Sequence, residues 1–261
     1  MGDNAAVRRP EEIASSVARR FGLNVSRVSS GGMRLPVEAT TADSELIAGL
    51  RPFTMTSPER LWCLIEAVRF LDAAGIAGDF AECGVWRGGS VMAMARQLVC
   101  LGATDRRIWL YDTFAGMTDP TDKDVDHAGK SAADLMQSTD VGDGANVWAF
   151  ASRGDVEANL AATGYPMDQF TLVEGDVEHT LEEQVPERIA LLRLDTDWYA
   201  STRRCLEVLY PRLVVGGICI LDDYGHWDGA RSAVDEYFTS NPPRPFMQPI
   251  DFSGRVLVKS G

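Results

Sequence analysis

The sequence has few features that would tie it to a membrane, an oxidising compartment or nucleic acid. No apolar run reaches the roughly 18 residues of a membrane span, and the first residues lack the basic-then-apolar order of a signal peptide. We therefore expect a cytoplasmic protein. The five cysteines form no C-x-x-C pair, which indicates reduced thiols. A formal charge of −13 argues against nucleic acid or an anionic membrane as the partner and leaves small molecules.

The length and patterning of the chain indicate one large α/β domain with an N-terminal appendage. A chain of 261 residues is long enough to bury a substantial core. Residues 1–50 are polar, with a modest helical pattern through Ile13, Val17 and Phe21. We interpret them as an arm that packs on the domain or reaches another subunit, and we expect a homo-oligomer. Residues 51–261 would form the domain.

Strand and helix patterns alternate through the domain. The predicted strands are 79–83, 108–112, 170–174, 189–194 and 214–221, and helices precede the first strand and follow the others, including 154–163, 200–210 and 229–239. The tail offers short strands within 244–250 and 255–258 that would pair antiparallel on the sheet edge. This order predicts a mostly parallel seven-stranded sheet with a C-terminal antiparallel strand and helices on both faces.

A long segment interrupts this alternation. Residues 115–150 are turn-rich and acidic, and they have little periodicity. Long insertions at the ligand edge of a sheet are often functional, so we expect a mobile lid. Disorder without function is the alternative interpretation.

Three aspartates follow two neighbouring strands of the predicted sheet. Asp195 follows strand 189–194, and Asp222 and Asp223 follow strand 214–221. Because parallel strands share one edge at their carboxyl ends, we expect these carboxylates to converge. Such a cluster of oxygen donors favours Mg²⁺ or Ca²⁺. A solvated turn followed by a helix cap is the other interpretation.

The turn after the first strand is rich in glycine, but it is not G-x-G-x-x-G. It is wider than the turn that holds a pyrophosphate, which favours a ligand without phosphates. An adenosine bearing an amino-acid tail fits better, because Glu82 could accept from its ammonium group and amides near Ser90 could hold its carboxylate. Gly84 and Arg87 are further candidate contacts in this turn.

The next two strands also end in acids. Asp112 lies where a carboxylate accepts hydrogen bonds from both ribose hydroxyls, although a helix-capping role is possible. Asp176 supplies a polar edge suited to an adenine amino group. S-adenosylmethionine, which is cationic at sulfur, is compatible with this acidic edge.

In combination these motifs carry a family resemblance. They are the segments Asp79–Ser90, Tyr111–Gly116, Leu192–Tyr199, Tyr210–Gly217 and Asp222–Tyr224. Together they resemble the macrocin O-methyltransferase family, which methylates deoxysugars and related hydroxyls of antibiotics. The resemblance implies a Rossmann-like class I methyltransferase fold that uses S-adenosylmethionine and Mg²⁺.

The resemblance also implies roles for individual residues. Asp195, Asp222 and Asp223 would hold the metal, and Asp197 matches the proposed general base. The residues that match cofactor contacts are Glu82, Asp112 and Asp176, and Thr54–Met55 matches a segment that closes over the cofactor.

The identity of the base is left open by the residues themselves. Asp195 and Asp197 share a face if the strand continues, whereas a turn at Thr196 would separate their roles. His127 and His226 are alternative bases, and a structural role is the other interpretation of each.

We expect an O-methyltransferase acting on a sugar hydroxyl of a glycosylated natural product. Methylation of a catechol or another phenol is the enzymatic alternative, and a catalytically silent S-adenosylmethionine-binding protein is the non-enzymatic one. The aromatic residues near the acidic edge could stack on a sugar or an aglycone, or belong to the core: Trp198, Tyr199, Tyr224 and Trp227.

Overall fold

The computed structural model describes residues 35–141 and 146–261. Most of the predicted arm, including the pattern through Ile13, Val17 and Phe21, lies outside these residues, so its role in a homo-oligomer stays a prediction. The described part of the arm forms helix α1, Thr41–Leu50. Thr40 and Asp43 form a capping box at its start, which satisfies amide groups that have no partner within the helix.

The domain alternates helices and strands, as the sequence predicts. The remaining helices are α2 (Pro58–Ala73), α3 (Gly89–Leu101), α4 (Ala132–Gln137), α5 (Arg153–Ala161), α6 (Val177–Thr180), α7 (Tyr199–Leu209) and α8 (Asp228–Ser240). The strands are β1 (Asp79–Cys83), β2 (Ile108–Asp112), β3 (Phe170–Glu174), β4 (Ile189–Leu194), β5 (Leu213–Leu221), β6 (Met247–Pro249) and β7 (Arg255–Val258). Predicted and observed boundaries differ by one or two residues in the main elements.

The seven strands form one sheet in the order β3-β2-β1-β4-β5-β7-β6. Strands β1 to β5 are parallel, whereas β7 pairs antiparallel with both β5 and β6. The predicted antiparallel hairpin at the sheet edge is therefore confirmed. The strand order changes direction between β1 and β4, and it is at such a point that parallel α/β sheets open a crevice for ligands.

Strand β4 lies at the centre of the sheet and is buried along its whole length. On one face, Leu192 and Leu194 pack in a core cluster with residues of α7 and α8. Side chains alternate along a strand, so Arg193 points to the opposite face, where it is 2% exposed. A guanidinium in such a place must find carboxylate partners.

The insertion between β2 and α5 packs on the domain in its described part. Asp124 is fully buried, and its Oδ1 accepts a 2.7 Å hydrogen bond from the amide of Tyr199 at the start of α7. The backbone of Asp126 forms an isolated antiparallel β-bridge with Trp227. The ring of Trp227 packs edge-to-face on that of Trp198. The predicted motion of this segment stays a prediction.

Two further sequence predictions concern the cysteines and the membrane. All five cysteines are free thiols, and Cys83, Cys205 and Cys219 are buried. Across the two described ranges, no helix combines the length and the apolar character needed to cross a bilayer.

Candidate functional site

A cavity of about 420 Å³ opens at the carboxyl ends of the parallel strands. Its walls come from the segment before α2, the turns after β1, β2 and β3, the insertion, and the loops after β4 and β5. The cavity therefore lies at the edge where the sequence predicts ligand binding.

The three predicted metal ligands converge at this cavity. The amide of Asp195 donates to Cys83 at 2.9 Å and the amide of Asp222 donates to Leu194 at 2.9 Å, so the parallel ladder continues past the strands. As a result, carboxylate oxygens of Asp195, Asp222 and Asp223 all lie within 4.8 Å of one another.

Gly84 permits this convergence. Its φ of +79° is favourable only for glycine, and a Cβ atom here would overlap the carbonyl oxygen of Asp195. The glycine turn and the acidic strand end are thus in backbone contact, which brings the two predicted halves of the site together.

Arg193 is the residue that sequence reasoning missed. Its guanidinium donates to Glu82 Oε1 at 2.6 Å and pairs with Asp195 Oδ2 at 2.8 Å and with Asp222 Oδ1. It also donates to Thr56 at 2.9 Å. Burial by itself would lower the pKa of the Arg193 guanidinium. The three surrounding carboxylates outweigh that effect and raise the pKa well above its ordinary value. Arg193 thereby connects four separate parts of the chain.

Asp222 is the most heavily bonded of the three aspartates. Thr56 donates to both of its carboxylate oxygens, at 3.0 and 2.8 Å, and the guanidinium of Arg60 pairs with Oδ2. Arg60 also binds Asp251 at 3.0 Å. A metal at this position would share Asp222 with protein donors.

The charge balance and the donor set fit a hard divalent cation. Two guanidiniums, those of Arg193 and Arg60, stand against four carboxylates at this site, which leaves negative charge uncompensated. These carboxylates are those of Glu82, Asp195, Asp222 and Asp223. Burial and the neighbouring carboxylates raise the pKa of Asp195 and of Asp223 well above the ordinary value. Oxygen donors without sulfur or imidazole are those that Mg²⁺ prefers.

Asp197 lies in a turn, not in a continued strand. Its φ is +59°, and the amide of Trp198 bonds back to Thr196 at 2.6 Å. The turn still keeps Asp197 at the cavity, because its amide donates to Asp223 Oδ2 at 3.1 Å. Burial and Asp195 raise the pKa of Asp197 to about 7.

Of the two histidines, His226 lines the cavity, and His127 lies outside its lining with its ring centroid 5.1 Å from that of His226. Burial and His127 lower the pKa of His226. Among the four predicted stacking aromatics, Trp227 lines the cavity, Trp198 belongs to a small core cluster, and Tyr199 and Tyr224 bond to acids of α8.

The predicted cofactor contacts separate into two groups. Those that line the cavity are Met55, Gly84, Ser90, Asp112 and Asp176. Asp112 accepts amide hydrogen bonds from Val85 at 2.7 Å, Trp86 at 3.1 Å and Phe114 at 2.8 Å, which fixes the turn around it. Burial raises the pKa of Asp112, and these amides oppose the shift.

Glu82 and Arg87 are not among the described residues that line the cavity. Glu82 is fully buried and bonds to Arg193 and Ser90 through Oε1, while its Oε2 has no hydrogen-bond partner within the described chain. Arg87 instead pairs with Asp155 at 2.8 Å and donates to the carbonyl of Pro52 at 2.9 Å. Their contacts with a cofactor stay predictions.

A signal for Arg193 was present in the sequence. It is the charged residue within the apolar run of β4, and a buried charge in a central strand requires a partner. Thr56 and Arg60 carried no comparable signal, because they reach Asp222 from 166 and 162 residues away.

Comparison with known proteins gives relatives for nearly the whole domain. Residues 37–258 match the family model described as "Macrocin-O-methyltransferase (TylF)". The chain is 36% identical over 193 residues to the 8-demethyl-8-(2,3-dimethoxy-alpha-L-rhamnosyl)-tetracenomycin-C 4'-O-methyltransferase of Streptomyces olivaceus, covering 70% of this chain and 67% of that protein. It is 34% identical over 184 residues to the mycinamicin III 3''-O-methyltransferase of Micromonospora griseorubida, covering 70% and 69%.

Solved structures agree with this assignment of the fold. The O-methyltransferase NovP is 28% identical and superposes with a TM-score of 0.70, covering 80% of this chain and 83% of that chain. The calicheamicin methyltransferase CalS11, 19% identical, has a TM-score of 0.59 and covers 99% and 98%. The latter likeness concerns the fold alone. The predicted Rossmann-like class I methyltransferase fold is confirmed.

Proposed function

Because the chain belongs to the macrocin O-methyltransferase family, a family of S-adenosylmethionine-dependent enzymes, we propose that it methylates a sugar hydroxyl of a glycosylated natural product with the help of Mg²⁺. By their names, the two relatives methylate a rhamnosyl tetracenomycin at its 4' oxygen and mycinamicin III at its 3'' oxygen. The acceptor proposed for this chain belongs to the same chemical class.

One observation carries the proposal: three carboxylates converge at a cavity that five of the predicted cofactor contacts also line. Gly84 joins the two parts of the site, because its backbone touches Asp195. A methyl donor held by the glycine turn would therefore lie next to an acceptor held at the acidic strand ends.

The donor end of the cavity is suited to an adenosine with an amino-acid tail. Asp112 is held in place by three backbone amides and presents its carboxylate to the cavity, where ribose hydroxyls could donate to it. Asp176 and Gly175, which follow the neighbouring strand β3, also line the cavity. Met55, from the segment before α2, lines it as well and is 46% exposed. We propose that Met55 covers the bound cofactor.

The acceptor end orients and activates a hydroxyl. Mg²⁺ held by Asp195, Asp222 and Asp223 would supply Lewis acidity that makes a sugar hydroxyl more acidic. Asp197, placed at the cavity by its turn and by the hydrogen bond from its amide to Asp223, would take the proton.

The direct test is methyl transfer to purified candidate acceptors. The protein would be incubated with S-adenosylmethionine and with mycinamicin III, demethyldecarbamoylnovobiocin or catechol, and products would be detected by mass spectrometry. We expect a glycoside to gain one methyl group, with turnover lost in EDTA and restored by Mg²⁺. Methylation of catechol alone would support the phenol alternative, and cofactor binding without any turnover would support the silent binding protein.

A further inference from the structure

Three aromatic rings form a row from the cavity to the solvent. His226 lines the cavity, the ring centroid of His127 lies 5.1 Å from it, and the ring of Phe252 lies 4.9 Å beyond His127. Phe252 is 66% exposed and His127 is also exposed, so the row opens outward. We call these three residues the aromatic row.

The row is assembled from three separate loops that main-chain contacts join together. The amide of His127 in the insertion donates to the carbonyl of His226 at 2.8 Å, and the amide of Gly225 donates to Ser253 at 2.9 Å. A Cβ atom at Gly225 would overlap the carbonyl oxygen of Phe252, so the two loops are in direct backbone contact. The backbones that carry the three rings are therefore joined to one another.

The size of the cavity indicates why a binding surface outside it is needed. Its volume of about 420 Å³ is near the lower end of the roughly 300–1,000 Å³ of ligand pockets. The methyl donor and the acceptor sugar must both enter it. A ring system attached to that sugar must continue through the mouth, and the aromatic row lies at the mouth next to the metal-ligand loop after β5.

We propose that the aromatic row binds the ring system to which the methylated sugar is attached. This inference rests on the proposed function and names a subsite for the aglycone. Exposed aromatic faces bind flat or alicyclic carbon skeletons by stacking and by removing apolar area from water. The row would thus favour glycosides with a cyclic apolar aglycone over free sugars or sugars with small substituents.

Phenyl and methyl α-L-rhamnopyranoside test the inference, because they differ only in the group attached to the sugar. Dissociation constants would be measured by isothermal titration with S-adenosylhomocysteine and Mg²⁺ present. We expect the wild-type protein to bind the phenyl glycoside about tenfold more tightly than the methyl glycoside. Phe252→Ala and His127→Ala should each bring this ratio close to one without weakening the methyl glycoside.

Phe246 provides a matched control. It is 83% exposed and has no ring contact with the aromatic row among the described residues, so Phe246→Ala removes an exposed phenyl ring outside the row. This variant should keep the wild-type ratio. The inference is overturned if the wild-type protein binds the phenyl glycoside no better than the methyl glycoside, or if both row variants keep the ratio.

The same reagents separate this inference from the proposed function. Each glycoside would also be incubated with S-adenosylmethionine, and methylated sugar would be detected by mass spectrometry. Methylation of both glycosides with equal binding contradicts the aglycone subsite but keeps the methyltransferase. Preferential binding of the phenyl glycoside without methylation of either one keeps the subsite and contradicts the proposed acceptor class.

Discussion

Arg193 donates a 2.6 Å hydrogen bond to Glu82, and the two residues are register partners on strands β4 and β1. Both side chains are buried, at 2% and 0% exposure. The same guanidinium reaches Asp195 and Asp222. One buried cation therefore holds the glycine-turn strand and the two acidic strand ends in one arrangement.

Replacing Arg193 should destabilise the protein strongly. Arg193→Met leaves three carboxylates without their common cation, and breaking a buried pair costs about 3–5 kcal/mol. Urea denaturation would measure the loss of unfolding free energy. Arg203→Met is the control, because Arg203 pairs with Glu207 on an exposed face of α7 and its loss should cost less than about 1 kcal/mol. Equal losses in the two variants would contradict a central role for Arg193.

Asp222→Asn should separate metal dependence from cofactor binding. The variant keeps the size of the side chain but removes one of the three negative charges offered to a cation. We expect Mg²⁺-dependent turnover to fall by more than about 100-fold while the affinity for S-adenosylhomocysteine stays nearly unchanged. Asp228→Asn, an exposed position at the start of α8, is the control. Wild-type turnover of Asp222→Asn would exclude the proposed metal site.

Asp112→Ala should have the opposite effect. The change removes the carboxylate that three backbone amides hold at the cavity, and it leaves those amides without their partner. We expect the dissociation constant for S-adenosylhomocysteine to rise about 10- to 100-fold in isothermal titration. Glu174 is the register partner of Asp112 on β3 and is exposed, so Glu174→Ala should leave it unchanged. If Asp112→Ala bound S-adenosylhomocysteine as tightly as the wild-type protein, the proposed contact of Asp112 with the ribose hydroxyls would be contradicted.

Gly84→Ala should cost more than its backbone conformation alone explains. The new Cβ atom would overlap the backbone of Asp195 and would also occupy a left-handed conformation. We expect a loss of about 3 kcal/mol or more in unfolding free energy. Gly75→Ala isolates the conformational cost, because Gly75 has a φ of +64° but no atoms within 4 Å of the added Cβ, and should lose about 1 kcal/mol. If Gly84→Ala and Gly75→Ala lost similar amounts of unfolding free energy, the contact between Gly84 and the backbone of Asp195 would contribute nothing measurable.

The pairing of Asp43 with Arg69 should make stability depend on acid pH. Although burial opposes it, hydrogen bonds from Arg69 and Thr40 lower the pKa of Asp43 below 3.8. A lowered folded-state pKa means that this contribution is full above the unfolded value and is lost as pH falls through the folded value. At neutral pH the Asp43→Asn variant should therefore be less stable than the wild-type protein. The difference in stability between the two should shrink as the pH falls, because the wild-type protein loses the contribution of Asp43. Melting temperatures between pH 7 and 3 would measure this, with Glu66→Gln, the exposed partner of Arg69, as the control.

The fold could be predicted because its signals are local. Alternating patterns and turn residues define the strands, and right-handed crossovers then order most of them. The convergence of Asp195 with Asp222 also followed, since the carboxyl ends of parallel strands share an edge. The packing of the insertion through Asp124 depends on a contact with Tyr199, 75 residues away, that no local pattern encodes.

The directions of single side chains were harder to predict. Glu82 was expected to accept from the ammonium group of the ligand, but no motif indicated that it also pairs with Arg193 on the buried face. Arg87 was expected as a cofactor contact, and its pairing with Asp155 on α5 was not foreseen. Both pairings depend on partners far away in the sequence, which a motif of neighbouring residues does not contain. The cofactor contacts of both residues stay predictions.

The insertion supplies part of the cavity wall but none of the three clustered aspartates. Asp124 and Thr118 tie it to the start of α7, just after the turn that holds Asp197, because they accept from the amide of Tyr199 and from the indole of Trp198. Acceptor preference could therefore be redesigned by grafting another enzyme's segment between Thr113 and Ser152, provided that the loop around Asp124 is retained. The three clustered aspartates would keep their positions, because none of them lies in the exchanged segment.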